Sequence, residues 1–192
     1  DSIVSWSTTD WLTIISGLLY VLMAAQGKRI CWVFGIISCS IIAWEDFTRL
    51  KLYSDGILQV IYVILGFIGL FQWSRKNGAI NYSSLPVGVS FKWIFLATLL
   101  AIPVAFGFRT YTDAAFPFLD AWTTLLSLAA TWLTVKKVLQ NWVFWIMADL
   151  CYIFLYSQRD APAFAFLFII YTIIAIYGWF SWRKMMSSVN VI

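Results

Sequence analysis

The sequence predicts an all-α integral membrane protein whose seven transmembrane helices form two parallel three-helix repeats joined by a linking helix. Composition, the long apolar runs and an internal repeat predict this fold. Of the 192 residues, 62% are hydrophobic and only 11% are charged, whereas a soluble domain carries about 25% charged residues. The mean hydropathy is +0.84. Because so few charges cannot cover a water-exposed surface, we expect the chain to lie in a bilayer.

The same composition excludes most enzyme classes. The chain has no histidine, which removes histidine-based general bases, catalytic triads and typical zinc sites. Its three cysteines lie singly in apolar runs, so neither a metal site nor a disulfide framework is expected. We therefore expect no enzyme and no cofactor. The basic residues stand mostly in pairs at the ends of apolar runs, so nucleic acid is not an expected partner.

Seven apolar runs are candidates for helices that cross the hydrocarbon core, which takes about 20 residues. They cover residues 8–25, 30–44, 56–74, 91–108, 119–135, 138–158 and 161–182. The first, third, fifth and seventh each end at a basic pair, namely Lys28-Arg29, Arg75-Lys76, Lys136-Lys137 and Arg183-Lys184. The second meets Glu45 near its end, the fourth contains Pro103, and the sixth is interrupted only by Asp149.

Lysine and arginine set the predicted orientation. With seven spans, nine of the 13 basic residues fall on the side of the C-terminus and four on the opposite side. Because basic residues are retained in the cytoplasm, we predict a cytoplasmic C-terminus and an external N-terminus. The first run follows acidic residues, so no cleavable signal peptide is expected. Tryptophans near the span ends, including Trp73, Trp142 and Trp182, are expected at the membrane interface.

The second half of the chain repeats the first. Trp32-Val33-Phe34 recurs as Trp142-Val143-Phe144, and seven of 17 positions agree between the third and seventh spans, including Gly69 with Gly178 and Trp73 with Trp182. The first and fifth spans agree weakly, for example at Ser16 and Ser127. The repeat predicts one three-helix bundle over 8–76, a linking helix over 91–108 and a second bundle over 119–184. A single linking helix makes the repeats parallel, as in transporters with a site between two bundles.

Residues that break the repeat are the candidates for a solute site, because an asymmetric solute needs an asymmetric site. Asn141, Trp145 and Asp149 replace two cysteines and a glycine of the second span. Together with Tyr152 they fall within an arc of about 80° on one helix face. A carboxylate near the bilayer midplane costs roughly 2.5–3.5 kcal/mol, which favours a functional role for Asp149. A neutral Asp149 bonded to neighbouring backbone is the structural alternative.

A second polar stripe lies on the third span. Gln59 and Tyr62 share a helix face with Gly66, Gly69 and Trp73, within an arc of about 80°. Helix packing explains the glycines and the tyrosine, but it does not explain the amide of Gln59. We therefore expect Gln59 to face the solute.

Acidic and aromatic residues also gather at the predicted external side. Trp44, Asp46, Tyr53 and Asp55 are candidates for a gate, and a solvated loop explains them equally well. Indole and phenol rings stack on planar groups and attract cations, while Gln and Asn side chains pair with amides or hydroxyls. Together with the carboxylates, these residue types favour a planar aromatic cation with polar substituents over a neutral hexose or an anion.

Three strings of residues indicate a family. They are Leu52-Tyr53-Ser54-Asp55-Gly56-Ile57-Leu58-Gln59 with Tyr62, Asn141-Trp142-Val143-Phe144-Trp145 with Asp149, and Tyr177-Gly178-Trp179 with Trp182-Arg183-Lys184. With them the chain resembles, over residues 11–184, the PnuC family of bacterial vitamin transporters, best known for nicotinamide riboside. The resemblance implies a SWEET-like fold, a homotrimer in the bacterial inner membrane and contact with membrane lipid. It also implies facilitated diffusion, with the solute trapped by cytoplasmic phosphorylation.

Carried onto this chain, the resemblance implies that the solute is bound by Gln59, Asn141, Trp145 and Asp149, with Tyr62, Tyr152 and Trp182 as further candidates. Nicotinamide riboside is a pyridinium cation with a carboxamide and a ribose, which agrees with the solute inferred from the residues. Thiamine and riboflavin remain alternative solutes. A membrane enzyme and an accessory subunit without a solute remain alternative functions.

Overall fold

The fold is helical, in a computed structural model that describes residues 8–50, 53–74, 82–111, 115–158 and 162–189. These ranges hold seven α-helices, which are α1 (Thr8–Ala25), α2 (Cys31–Glu45), α3 (Tyr53–Ser74), α4 (Val87–Tyr111), α5 (Pro117–Val135), α6 (Asn141–Gln158) and α7 (Pro162–Val189). A π-helical turn, Asp46–Leu50, continues α2.

The lengths of the helices fit a bilayer. Six of those described are long and apolar enough to cross a membrane, and α6 is apolar but shorter. α6 begins at Asn141, later than predicted, because Val138 and Leu139 belong to the turn before it. α7 continues beyond Trp182, where the seventh span was predicted to end, and finishes at Val189. The predicted all-α membrane fold is confirmed, and the chain is a multi-pass membrane protein.

The helices contact one another in a repeated order. α2 contacts both α1 and α3, and α6 contacts both α5 and α7. We call α1–α3 and α5–α7 the two triplets. Between them, α1 contacts α7 and α3 contacts α5. These two contacts are equivalent, because α1 corresponds to α5 and α3 to α7 in the repeat. α4 makes its main contact with α5. The packing therefore follows the repeat in the sequence.

The turns that follow α1 and α5 also correspond. Each contains a residue with a left-handed backbone, Gly27 with φ 70° and Lys137 with φ 52°. In both turns the N–H of the next residue bonds back across the helix end at 2.9 Å, as in a Schellman motif. We call the side of the molecule formed by the turns 26–30 and 136–140 the basic end. The opposite side, where α1 begins and α2 ends, is the acidic end.

A buried aromatic cluster joins the two triplets at the basic end. Trp32, Trp73, Trp142 and Trp182 form it, with neighbouring ring centroids 5.3 to 6.0 Å apart. The prediction that Trp73, Trp142 and Trp182 lie at the membrane interface is wrong, because all three are buried. Each of these indoles packs edge-on against another, so the rings fill the space between the triplets rather than facing lipid.

Candidate solute-binding site

Asp149 is a buried carboxylate in the middle of α6. It is the ninth of 18 residues in the helix, and its surface is 3% exposed. Within the described part of the chain, no hydrogen bond or ion pair reaches its carboxylate. Tyr171 of α7 interacts with it electrostatically. Because a buried charge is costly without a partner, Asp149 is suited to pair with a cation that comes from outside the protein.

Hydroxyl groups from three helices meet one helical turn from Asp149. Tyr62 of α3 and Tyr152 of α6 interact with each other, and both lie beside Ser127 of α5. Tyr152 also stacks on Phe168 of α7, with ring centroids 4.6 Å apart. Groups from both triplets therefore converge at mid-depth.

Aromatic rings continue from this point towards the acidic end. Tyr156 stacks on Phe168 at 5.4 Å and on Phe164 at 5.3 Å, while Tyr171 packs edge-on against Phe168 at 5.6 Å. None of these four residues was predicted as part of the site. Their spacing of three or four residues along α6 and α7 was the signal that could have found them. Together with Tyr152, these rings form a continuous series of aromatic contacts that begins beside Asp149.

Gln59 and Trp145 also lie inside the molecule, and both are half-buried. Among the described residues, nothing hydrogen-bonds the amide of Gln59. Trp145 contacts both buried apolar clusters, the one that joins the triplets and the one formed by α4, α5 and α6. The amide of Gln59 is therefore available to a solute, and Trp145 lies where the two clusters meet.

Asn141 and Trp182 lie at the basic end, and their polar groups already have partners. The amide of Asn141 donates to the Val138 carbonyl at 2.7 Å and accepts from the Thr134 hydroxyl at 3.2 Å. The indole of Trp182 donates to the Ala24 carbonyl at 2.9 Å. The structure thus separates these two residues from the group around Asp149.

The gate candidates occupy different surroundings. Trp44 is 71% exposed and lines a cleft of about 520 Å³ between α1 and α2 at the acidic end. Asp46 is buried, and within the described ranges its Oδ2 atom has no hydrogen-bond partner. Asp55 is exposed in the first turn of α3. Tyr53 begins α3, and its side chain lies outside the described part of the structure.

Known proteins resemble this chain along most of its length. "Nicotinamide riboside transporter PnuC" of Neisseria mucosa is 25% identical over 93% of this chain and 74% of its own length. The Escherichia coli protein of the same name is 26% identical over 88% and 82%, and that of Haemophilus influenzae is 24% identical over 94% and 83%.

The fold has been solved before. The "Crystal structure of the Vitamin B3 transporter PnuC" superposes with a TM-score of 0.71 over 92% of this chain and 81% of that one, at 23% identity. The sequence model of the family described as "Nicotinamide mononucleotide transporter" matches residues 7–184. Since that match takes in six helices, most of α7 and the residues around Asp149, the chain belongs to the nicotinamide mononucleotide transporter family.

Proposed function

We propose that this protein carries nicotinamide riboside across the membrane. The observation that carries the proposal is the buried Asp149, whose carboxylate has no hydrogen bond or ion pair within the described residues and lies beside the ring of Tyr171. One helical turn away, Tyr152 stacks on Phe168. A pyridinium ring is a permanent, planar cation. It can pair with the carboxylate and stack on Tyr152 or Trp145 at the same time.

The charge distribution favours the riboside over the mononucleotide. A mononucleotide adds a phosphate, and proteins hold a buried phosphate with arginine, lysine or a helix N-terminus. Every described arginine and lysine lies in a turn or in the first or last two turns of a helix. A phosphate beside Asp149 would therefore meet a second negative charge and no cationic side chain of the described residues.

The proposed site has a centre and a floor. Gln59, Tyr62, Trp145, Asp149 and Tyr152 form the centre, where the carboxylate pairs with the ring cation and the amide pairs with the carboxamide. Asn141 and Trp182, whose polar groups bond within the protein, close the site towards the basic end.

The acidic end is the proposed external mouth. Asp46, Asp55 and the rings of Trp44 and Tyr53 are gate residues in this proposal, because carboxylates concentrate a cationic solute before it enters. The buried Oδ2 of Asp46 supports this role. The basic end faces the cytoplasm, which places the N-terminus outside in a bacterial inner membrane.

Alternating access is the mechanism proposed for the two bundles. In this proposal the bundles over 8–76 and 119–184, linked by 91–108, rock about the site, and the aromatic cluster at the basic end closes the cytoplasmic side. Movement is facilitated diffusion, made unidirectional when the solute is phosphorylated in the cytoplasm. The protein itself performs no chemistry on the solute.

We also propose a homotrimer. α4 makes its main contact with α5 and exposes Phe91, Phe95 and Phe106 elsewhere on its surface. These rings are available for lipid or for a neighbouring subunit. Native mass spectrometry of the purified protein tests the assembly, and a monomeric mass in all mild detergents would contradict it.

Calorimetric titration tests the solute and Asp149 together. The ligands are nicotinamide riboside, its mononucleotide, thiamine and riboflavin. We expect the riboside to bind most tightly and Asp149→Asn to weaken it by about tenfold or more, which is about 1.4 kcal/mol. Asp10→Asn, in the first turn of α1, is the matched control and should stay within about twofold.

Two results would overturn the proposal. One is tighter binding of the mononucleotide, thiamine or riboflavin, which would assign a different solute. The other is an unchanged affinity in Asp149→Asn, which would remove the carboxylate from the site. Uptake of the riboside by proteoliposomes that contain the protein alone separates a transporter from a membrane enzyme or an accessory subunit.

A further inference from the structure

Ser127 is an exception among the hydroxyl side chains of α5. The helix carries four threonines, and each donates a hydrogen bond to the carbonyl four residues earlier, at 2.8 to 2.9 Å. This is the usual way for a hydroxyl within a helix to be satisfied. Ser127 is 2% exposed, yet its hydroxyl has no hydrogen-bond partner among the residues that the structure describes. A buried hydroxyl in this state is costly.

The repeat supplies a matched comparison. Ser16 of α1 corresponds to Ser127 and is also buried. Its hydroxyl donates to the Leu12 carbonyl at 2.6 Å, as expected for a serine in a helix. Burial and position in the bundle therefore do not prevent the bond, and the free hydroxyl is a property of the second half alone.

The surroundings of Ser127 show where the hydroxyl is available. Tyr62 approaches it from the other triplet and Tyr152 from α6, and both phenols interact with it, but neither reaches the distance and angle of a hydrogen bond. Tyr152 is one helical turn from Asp149. The serine thus lies between the two triplets, beside the position proposed for the cation.

We infer that the Ser127 hydroxyl hydrogen-bonds a hydroxyl group on the sugar of the solute, an inference that rests on the proposed function. A serine hydroxyl and two phenols each donate and accept, so a polyol can engage all three. The carboxamide is the poorer fit here, because the amide of Gln59 is its natural partner. Ser127 is then a specificity residue that favours a riboside over a free pyridinium base.

Calorimetric titration of Ser127→Ala with nicotinamide riboside and its three monodeoxy analogues tests this contact. We expect Ser127→Ala to weaken the riboside about tenfold, as for a lost hydrogen bond worth about 1.4 kcal/mol. The monodeoxy analogue that lacks the contacted hydroxyl should bind the wild type about tenfold more weakly than the riboside does. It should bind Ser127→Ala with the same affinity as the wild type, because the two changes remove the same hydrogen bond. Ser16→Ala should leave all four affinities unchanged.

The outcomes separate the inference from the function. The sugar contact is wrong, and the proposed function stands, if Ser127→Ala binds the riboside as tightly as the wild type does. The same conclusion follows if Ser127→Ala weakens the binding of every analogue by the same factor as it weakens the binding of the riboside. If the wild type does not bind the riboside, the function fails and the contact falls with it. Ser127→Cys keeps the side-chain size with a weaker donor and should show the same pattern at smaller amplitude, should the alanine variant fold poorly.

Discussion

The indole N–H of Trp182 donates to the carbonyl of Ala24 at 2.9 Å, which ties α7 to the end of α1. The equivalent bond runs from the first triplet to the second. Trp73 of α3 donates to the carbonyl of Val135, the last residue of α5, at 3.1 Å. Each triplet therefore donates a hydrogen bond to a helix-end carbonyl of the other. The Ala24 carbonyl also accepts from the backbone N–H of Gly27 at 2.9 Å. The two indole bonds close the molecule at the basic end.

Trp182→Phe tests this closure as a matter of stability. The variant keeps a large ring but removes the hydrogen bond between the indole and the Ala24 carbonyl, which retains only its bond from Gly27. We expect a loss of about 0.5–1.5 kcal/mol, as for one hydrogen bond. Thermal unfolding of the purified protein in detergent measures it. Trp132→Phe is the control, since Trp132 is exposed and faces Lys136. Equal shifts in the two variants would contradict a specific role for the bond.

Cys31 offers a native probe of the same closure. It is buried at the start of α2, within the aromatic cluster. In a Cys39→Ser, Cys151→Ser background, we expect a maleimide to label it slowly in the wild type and faster when Trp73→Phe and Trp182→Phe are combined, because the basic end then opens more often. Labelling followed by mass spectrometry gives the rate. An unchanged rate would show that the two bonds do not control access.

Gly178 provides space for the ring of Trp142. A Cβ at Gly178 would lie 2.6 Å from two atoms of the indole, and Gly69 has the same relationship to Trp32. We expect Gly178→Ala to cost about 1–3 kcal/mol, because the buried ring must move. Gly107→Ala in α4 is the matched control, since its Cβ would meet nothing within 4 Å. Thermal unfolding compares them, and equal melting temperatures would contradict the packing argument.

The sequence predicted the fold better than the role of individual residues. Hydropathy and the repeat identified the helices, because lipid requires long apolar helices whatever their neighbours. The shared glycines were predicted to allow close helix approach, and the structure shows that they admit an indole ring instead. Which partner fills a small-residue position depends on tertiary packing, which a single sequence does not contain.

The site shows the same division. Asp149 was predicted from the cost of a charge at mid-membrane, and the structure places it inside with no described partner. Its solute-binding role stays a prediction, as it does for the other site residues. Ser127 was noted only as a repeat match, because a free hydroxyl is visible only when hydrogen bonds are known. The hydrogen bond of Asn141 to the turn before α6 could not be predicted either, because the sequence pattern shows only that Asn141 shares a helix face with Asp149.

Asn141→Ala distinguishes a structural role from direct contact with the solute. The amide bonds to Val138 and Thr134, so we expect the variant to lose about 1–3 kcal/mol of stability, because buried partners are left unpaired. The affinity for nicotinamide riboside should change by no more than about threefold. A lost contact with the solute would instead weaken binding by about tenfold, which corresponds to about 1.4 kcal/mol. Thermal unfolding and calorimetry together measure both. A tenfold loss of affinity without loss of stability would instead place Asn141 against the solute.

Lys137 gives a prediction about pH. Its ammonium lies 4.8 Å from the ring centroid of Trp73 and 5.2 Å from that of Tyr82, and burial lowers the pKa of Lys137 from its ordinary value of 10.5. The unfolded chain then binds this proton more tightly than the folded chain does. Consequently, the free energy of unfolding gains a contribution as the pH rises through the folded pKa towards 10.5.

Lys137→Met removes the proton while it keeps the side-chain length and a non-glycine residue at the left-handed position. We expect the melting temperature of the wild type to rise relative to that of the variant as the pH is raised towards 10.5, because only the wild type carries the titrating group. Lys136→Met, in the same turn, corrects for the general effect of removing a surface charge. A difference that stays flat or falls across this range would mean that the rings of Trp73 and Tyr82 stabilise the ammonium more than burial opposes it.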